Sequence, residues 1–122
     1  MTLPRSEDVV TLLHNPRCST SRKVLELLTG RGIDFTQRRY LDEPLTRAEL
    51  SELARRLRRA PVEWVRKKEP AYEQAGLGPD SSDAEILDAM ASHPILIERP
   101  IVVRGGRAAL GRPPEAVLEL FD

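Results

Sequence analysis

The sequence predicts one α/β domain: a four-stranded mixed sheet, built βαβ and then ββα, with a helical block inserted between the halves. Three observations predict it. Two short apolar runs flank a helical pattern near the start, and two more flank a Gly-Gly pair near the end. Between them, over about residues 45–93, the apolar spacing is helical and two capping boxes mark helix starts.

Residues 1–8 read as a polar tail, leaving 9–122 as the domain. Val9-Val10-Thr11-Leu12-Leu13 is a β-branched apolar run of the kind that forms a buried strand. It stops at His14-Asn15-Pro16, a turn signal. A helix follows with Val24, Leu25, Leu27 and Leu28 on one side, ended by Gly30 and Gly32. Phe35 to Tyr40 reads as the second strand. Strand, helix and strand with short links form a parallel unit with a right-handed crossover.

Thr46-Arg47-Ala48-Glu49 is a capping box, and Leu50, Leu53 and Leu57 follow at helical spacing. Pro61 interrupts this helix and opens a shorter one through Trp64, which reads as core packing. Ser82-Asp83-Ala84-Glu85 is a second box, before Ile86, Leu87 and Met90. Ile101-Val102-Val103 and Ala108-Ala109-Leu110 about Gly105-Gly106 predict a β-hairpin. Pro113-Pro114 starts a last helix that carries Val117, Leu118 and Phe121 inward. The thioredoxin-like fold is built in this order.

Composition narrows the function. Lys+Arg and Asp+Glu both total 19, so the formal net charge is zero. That argues against nucleic-acid or membrane binding through an overall field. One cysteine and two histidines offer no internal disulfide and no cysteine cage for a metal. The expectation is a metal-free protein of a reducing compartment. The N-terminus has no signal-peptide pattern and no window approaches the ~20 apolar residues of a membrane span. A soluble cytoplasmic location is expected.

The single cysteine carries the chemistry. Cys18 sits between the first strand and the first helix, where free N–H groups and the helix dipole stabilise a thiolate. Cysteines so placed have pKa values of roughly 3.5–7.5 instead of ~8.5. Arg17, Arg22 and a protonated His14 would add to the effect. Its neighbours Asn15, Pro16, Arg17, Ser19, Thr20, Ser21 and Arg22 are wrong for a core cysteine. Ser21 stands where a Cys-x-x-Cys motif has its second thiol, so any disulfide is with another molecule. A monothiol mechanism with an external thiol such as glutathione follows. Arg22 comes too soon after Cys18 for the cysteine–arginine loop of a phosphatase.

A thiolate attacking an anion needs cations, and arginine suits tetrahedral oxyanions. Arg99 precedes Pro100 and the third strand, and Arg112 lies between hairpin and last helix. Both are places where loops converge on a strand end. Arg55-Arg56-Leu57-Arg58-Arg59 reads as the solvated face of a helix. The placement of Arg66, Lys67 and Lys68 decides nothing. His14 has two open roles: to orient or deprotonate the cysteine, or to cap the strand end. His93, before Pro94 at a helix end, reads as structural.

Four blocks in order resemble the glutaredoxin-coupled arsenate reductase family, ArsC. They are His14 to Arg22, Arg66 to Glu73, His93 to Val103, and Leu110 to Glu115. The resemblance is to a short, single-cysteine branch with a thioredoxin-like fold. It implies Cys18 as nucleophile, His14 near it, and Arg66, Arg99 and Arg112 as oxyanion-binding arginines. Asn15, Ser21, Arg22 and Pro100 take supporting roles. It also implies a cis Arg99–Pro100 bond. The implied reaction reduces arsenate to arsenite with glutathione as co-substrate and glutaredoxin as partner, and with no tightly bound cofactor. Two alternatives remain: a glutathione-dependent thiol reductase without arsenate activity, or an Spx-type regulator that binds RNA polymerase.

Overall fold

A computed structural model describes residues 3–121. β1 (Val10–Leu13), α1 (Ser19–Gly30) and β2 (Thr36–Arg38) form the first unit. β3 (Ile101–Arg104) and β4 (Arg107–Leu110) form the hairpin, followed by a 3₁₀ helix at Pro114–Phe121. The sheet order is β2-β1-β3-β4. β1 is parallel to β2 and antiparallel to β3, and β3 is antiparallel to β4. This is the expected mixed, thioredoxin-like sheet.

Both faces of the sheet are covered, which is why all four residues of β1 are buried. Strand alternation sends Val10, Leu12, Val102 and Ala109 to one face, against Val24 and Leu28 of α1 and Val117 and Leu120. Leu13, Ile101, Val103 and Ala108 go to the other, against Leu50, Leu53, Trp64, Ile86 and Met90 of the helical block. That block holds α2 (Arg47–Leu57), α3 (Pro70–Gln74) and α4 (Asp83–Ser92), with 3₁₀ turns at Pro61–Glu63 and Pro94–Leu96. Thr46 and Ser82 cap α2 and α4 as boxes with Glu49 and Glu85. The two-residue hairpin turn has Gly105 at φ 57°, the positive value a type II′ turn needs at its first central residue.

The structure departs from the sequence reading in several places. Leu3 is buried in the core and the carbonyl of Pro4 accepts from Arg56 Nη1 at 2.6 Å, so Leu3 and Pro4 are docked on α2. A polar average over residues 1–8 hides one apolar anchor. Arg56 is itself buried, held by Pro4 and by Glu52 at 3.1 Å, while Arg55, Arg58 and Arg59 are exposed. α2 ends at Arg58, in the left-handed region at φ 56°, before Pro61 is reached. The C-terminal helix is 3₁₀, so its three-residue repeat buries Val117 and Leu120, leaving Leu118 and Phe121 partly exposed. Both Arg99–Pro100 and Arg112–Pro113 are cis. No helix among the described residues is long and apolar enough to cross a membrane.

Candidate active site

The site grows from the end of β1. His14 N–H donates to the Arg38 carbonyl at 2.9 Å, closing the parallel pair. Asn15 then shapes the turn: its Oδ1 accepts from Arg17 N–H at 3.0 Å and its carbonyl from Cys18 N–H at 3.0 Å. Cys18 is the extended N-cap residue of α1. Its side chain makes no capping hydrogen bond, but the Ser21 and Thr20 N–H groups at the helix start act on the sulfur. Burial pushes the thiol pKa up, but the Ser21 N–H, the Arg99 guanidinium and the Thr20 N–H outweigh it and hold it below the ordinary thiol value.

His14 is turned to Ser21, its Nδ1 2.7 Å from Oγ. That hydroxyl also accepts from Asn15 N–H at 3.1 Å, and Ser21 is fully buried. The position that would hold a second thiol therefore fastens the first turn of α1 to the end of β1. Burial lowers the His14 pKa, and the charges of Arg39 and Arg22 lower it further, so the ring is neutral at neutral pH. Arg22 donates to the Pro16 carbonyl at 2.9 Å. The field at the sulfur thus comes first from the Ser21 N–H, as expected of a helix start, and its side-chain part comes from Arg99, distant in sequence, in place of Arg17, Arg22 and a protonated His14.

Arg112 reaches the sulfur, with Nη2 3.9 Å from Sγ. Its Nε donates to the Arg99 carbonyl at 2.8 Å and lies 3.1 Å from Glu98 Oε1. Gly111 makes that path possible. A Cβ there would stand 2.7 Å from Pro100 Cγ and 2.8 Å from Val24 Cγ2. Arg66 enters from the helical block. A short antiparallel bridge, Val65 to Ile97, is flanked by bonds from Arg66 N–H to Leu96 O and from Glu98 N–H to Trp64 O. Arg66 donates to Glu98 at 3.0 Å and pairs with Glu69 at 3.1 Å. Arg99 differs from the other two: its Nε and Nη1 are buried and have no partner among the described residues.

Two residues of the site have no signal in the sequence. Glu98 joins Arg66, Arg112 and the Arg99 N–H, yet in sequence it is one acid beside an arginine. Tyr40 lies in the turn after β2, which stops at Arg38 and not at Tyr40 as the sequence suggests, and its hydroxyl is buried without a protein partner. Burial pushes its pKa up to about 12 against the opposing charges of Arg99 and Arg66. A nucleophilic thiolate beside unsaturated guanidinium donors suits attack on a tetrahedral oxyanion.

A family model described as the ArsC family matches residues 13–120. An arsenate reductase of Rhizobium meliloti (strain 1021) is 43% identical over 113 residues, 92% of this chain and 81% of that protein. One from Haemophilus influenzae is 42% identical over 114 residues, covering 92% of this chain and 98% of that protein. The solved structure of an arsenate reductase from Vibrio cholerae superposes with a TM-score of 0.87 at 44% identity, covering 92% of this chain and 97% of that one.

Proposed function

The chain belongs to the ArsC family, and from that premise we propose that it is an arsenate reductase acting through the Cys18 thiolate. The observation that carries the reading is Arg112 Nη2 3.9 Å from the Cys18 sulfur, beside a thiol whose pKa the Arg99 guanidinium helps to lower. Arsenate binds to the guanidinium groups of Arg66, Arg99 and Arg112, with the free donors of Arg99 as its main anchor. Binding neutralises the charge that would otherwise repel the incoming sulfur. The Cys18 sulfur attacks arsenic, an S–As bond forms, and an oxygen leaves as water after protonation. Glutathione supplies the second sulfur. The two sulfurs end as a mixed disulfide on Cys18, arsenic gains their two electrons and falls from V to III, and arsenite departs. Glutaredoxin returns Cys18 to the thiolate. His14 serves this cycle from a distance, by holding Ser21 and with it the N–H that faces the sulfur. The expected setting is the cytoplasm, where glutathione keeps the pair turning over.

The test is arsenate-dependent NADPH oxidation with glutathione, glutaredoxin and glutathione reductase, beside Cys18→Ser. The wild type should turn over and the variant should fall to background. No turnover from the wild type, with Cys18 still alkylated as a thiolate, would discard arsenate as substrate and leave a thiol reductase.

A further inference from the structure

We infer that Glu98 is a positioning residue that aligns the arginine cluster and limits the charge of the oxyanion the site accepts. The inference rests on the oxyanion reading above. One oxygen, Oε1, accepts from Arg66 Nη1 at 3.0 Å and from the Arg99 N–H at 3.2 Å, and lies 3.1 Å from Arg112 Nε. These three groups come from the helical block, the strand-entry loop and the loop after the hairpin. No other described side chain hydrogen-bonds or ion-pairs with all three residues, the Arg66 and Arg112 guanidinium groups and the Arg99 N–H. The bridge between residues 65 and 97 fixes the Glu98 backbone, so its carboxylate is a rigid reference point for guanidinium groups that would otherwise swing.

The same contacts set the charge. Arg66, Arg99 and Arg112 bring three positive charges. Glu69, Glu98 and the Cys18 thiolate bring three negative ones. A site that holds three bare arginines would favour the most highly charged anion available. With Glu98 in place, the groups in mutual contact balance before substrate arrives, Lys67, Lys68 and Glu63 lining the cleft beyond them, and each further negative charge on the ligand meets the Glu98 carboxylate. Glu98 side-chain exposure is 25% and that of Arg66 is 22%, so solvent screens this interaction only in part. The cluster faces an open cleft lined by Arg66, Glu98 and Arg112, which gives anions access to it.

Coulomb energy is linear in ligand charge. Removing the Glu98 charge therefore multiplies the affinity for a monoanion by some factor, and that for a dianion of the same shape by its square. Perchlorate and sulfate are both tetrahedral and unreactive towards the thiolate. The experiment measures their protection of Cys18 against iodoacetamide at fixed pH and ionic strength, in the wild type, Glu98→Gln, Glu98→Asp and Glu98→Ala, with melting curves to confirm folding. In Glu98→Gln the half-protecting concentration should fall about 5-fold for perchlorate and about 25-fold for sulfate. Glu98→Ala should show the same squared relation. Glu98→Asp, which keeps the charge, should stay within about 2-fold of the wild type. Equal shifts for the two anions, an aspartate variant behaving like the glutamine one, or no sulfate protection in any form would each overturn the inference. Arsenate turnover read in parallel separates the failures. A wild type without turnover but with the charge-squared shift sinks the reaction and spares Glu98, whereas normal turnover without the shift sinks Glu98 alone.

Discussion

Arg99 is the side chain on which the electrostatics of the site turn. Its guanidinium helps hold the thiol below its ordinary pKa, and two of its nitrogens are buried without a protein partner. Removing it with Arg99→Ala should raise the pH midpoint of Cys18 alkylation towards the ordinary thiol value. It should also lower kcat/KM for arsenate by about 10²-fold or more, the usual cost of one lost oxyanion donor. Arg17→Ala should leave the alkylation midpoint where it is, although Arg17 is adjacent in sequence. Iodoacetamide rates against pH check both, and an unmoved midpoint in Arg99→Ala would assign the whole effect to the N–H groups of Ser21 and Thr20. The contrast shows what the sequence discloses at this scale. The nucleophile was legible because a lone cysteine in a polar strand-to-helix turn has few other uses. The helix-start N–H groups that lower its pKa were legible as well, but the side-chain part of its field was not, because adjacency in sequence favours Arg17 and Arg22 while the loop before β3 delivers Arg99.

At the scale of elements, the βαβ and ββα units and both capping boxes were legible from apolar runs, turn residues and Thr/Ser-x-x-Glu spacing. Their cross-links were not. Glu49 was readable as the partner of Thr46, but its second job depends on tertiary contact. Arg38 of β2 makes two bonds to the Glu49 carboxylate, at 2.6 and 3.0 Å, and a third to the Pro44 carbonyl at 2.7 Å. This buried pair ties the sheet edge to α2. Burial raises the Glu49 pKa, but bonds from Arg38 and Thr46 outweigh it and the folded value is lowered. A carboxyl with a lowered folded pKa contributes stability above its unfolded value of ~4.3 and loses it as pH falls through the folded value. Glu49→Gln should therefore cost about 3 kcal/mol at neutral pH, because Arg38 is left buried and unpaired. It should also flatten the acid limb of the stability curve. Urea melts at neutral pH and at pH values below ~4 test both statements. A variant that lost stability equally at every pH would refute the ion-pair account. Gly111→Ala is a sharper probe of the loop that carries Arg112. Its methyl would meet Pro100 and Val24 inside normal contact distance, so Arg112 moves or the β4 end shifts. The expected result is a drop in arsenate turnover of about 10-fold or more with a lower melting temperature, consistent with the penalty for overpacking.

The whole molecule is two apolar layers on one small sheet, with the site at the seam. Cys18 stands on the layer of α1 and the C-terminal 3₁₀ helix, whereas Arg66 stands on the helical block. If the layers opened independently, Arg66 would leave the sulfur's neighbourhood each time the block loosened. Several features argue that they do not. β1 and β3 contribute alternate residues to both layers, so neither layer can lose its packing without baring the other face of the same strands. The Arg38–Glu49 pair and the Glu98 cluster fasten the block to the sheet edge and to the loops around the thiol. The chain supplies its own reporters, since it has one tryptophan and one cysteine. Trp64 is fully buried in the block layer, and Cys18 caps α1. Urea unfolding at neutral pH followed by Trp64 fluorescence and by the ultraviolet absorbance of the Cys18 thiolate, which fades as the thiol returns to its ordinary pKa, should give coincident transitions, with a slope of about 1–3 kcal/mol per molar urea. A Trp64 transition at lower urea than loss of the thiolate absorbance would mean that the block melts first on a surviving sheet. In that case Arg66 and Glu98 would be lost from the site before the thiolate is, and activity would disappear ahead of the thiolate absorbance. Coincidence means that the arginines and the thiolate share one cooperative unit, so a cavity anywhere in either layer lowers the stability of the whole site. Leu53→Ala, distant from the sulfur, should then shift both reporters together by the same 2–5 kcal/mol that a buried leucine costs.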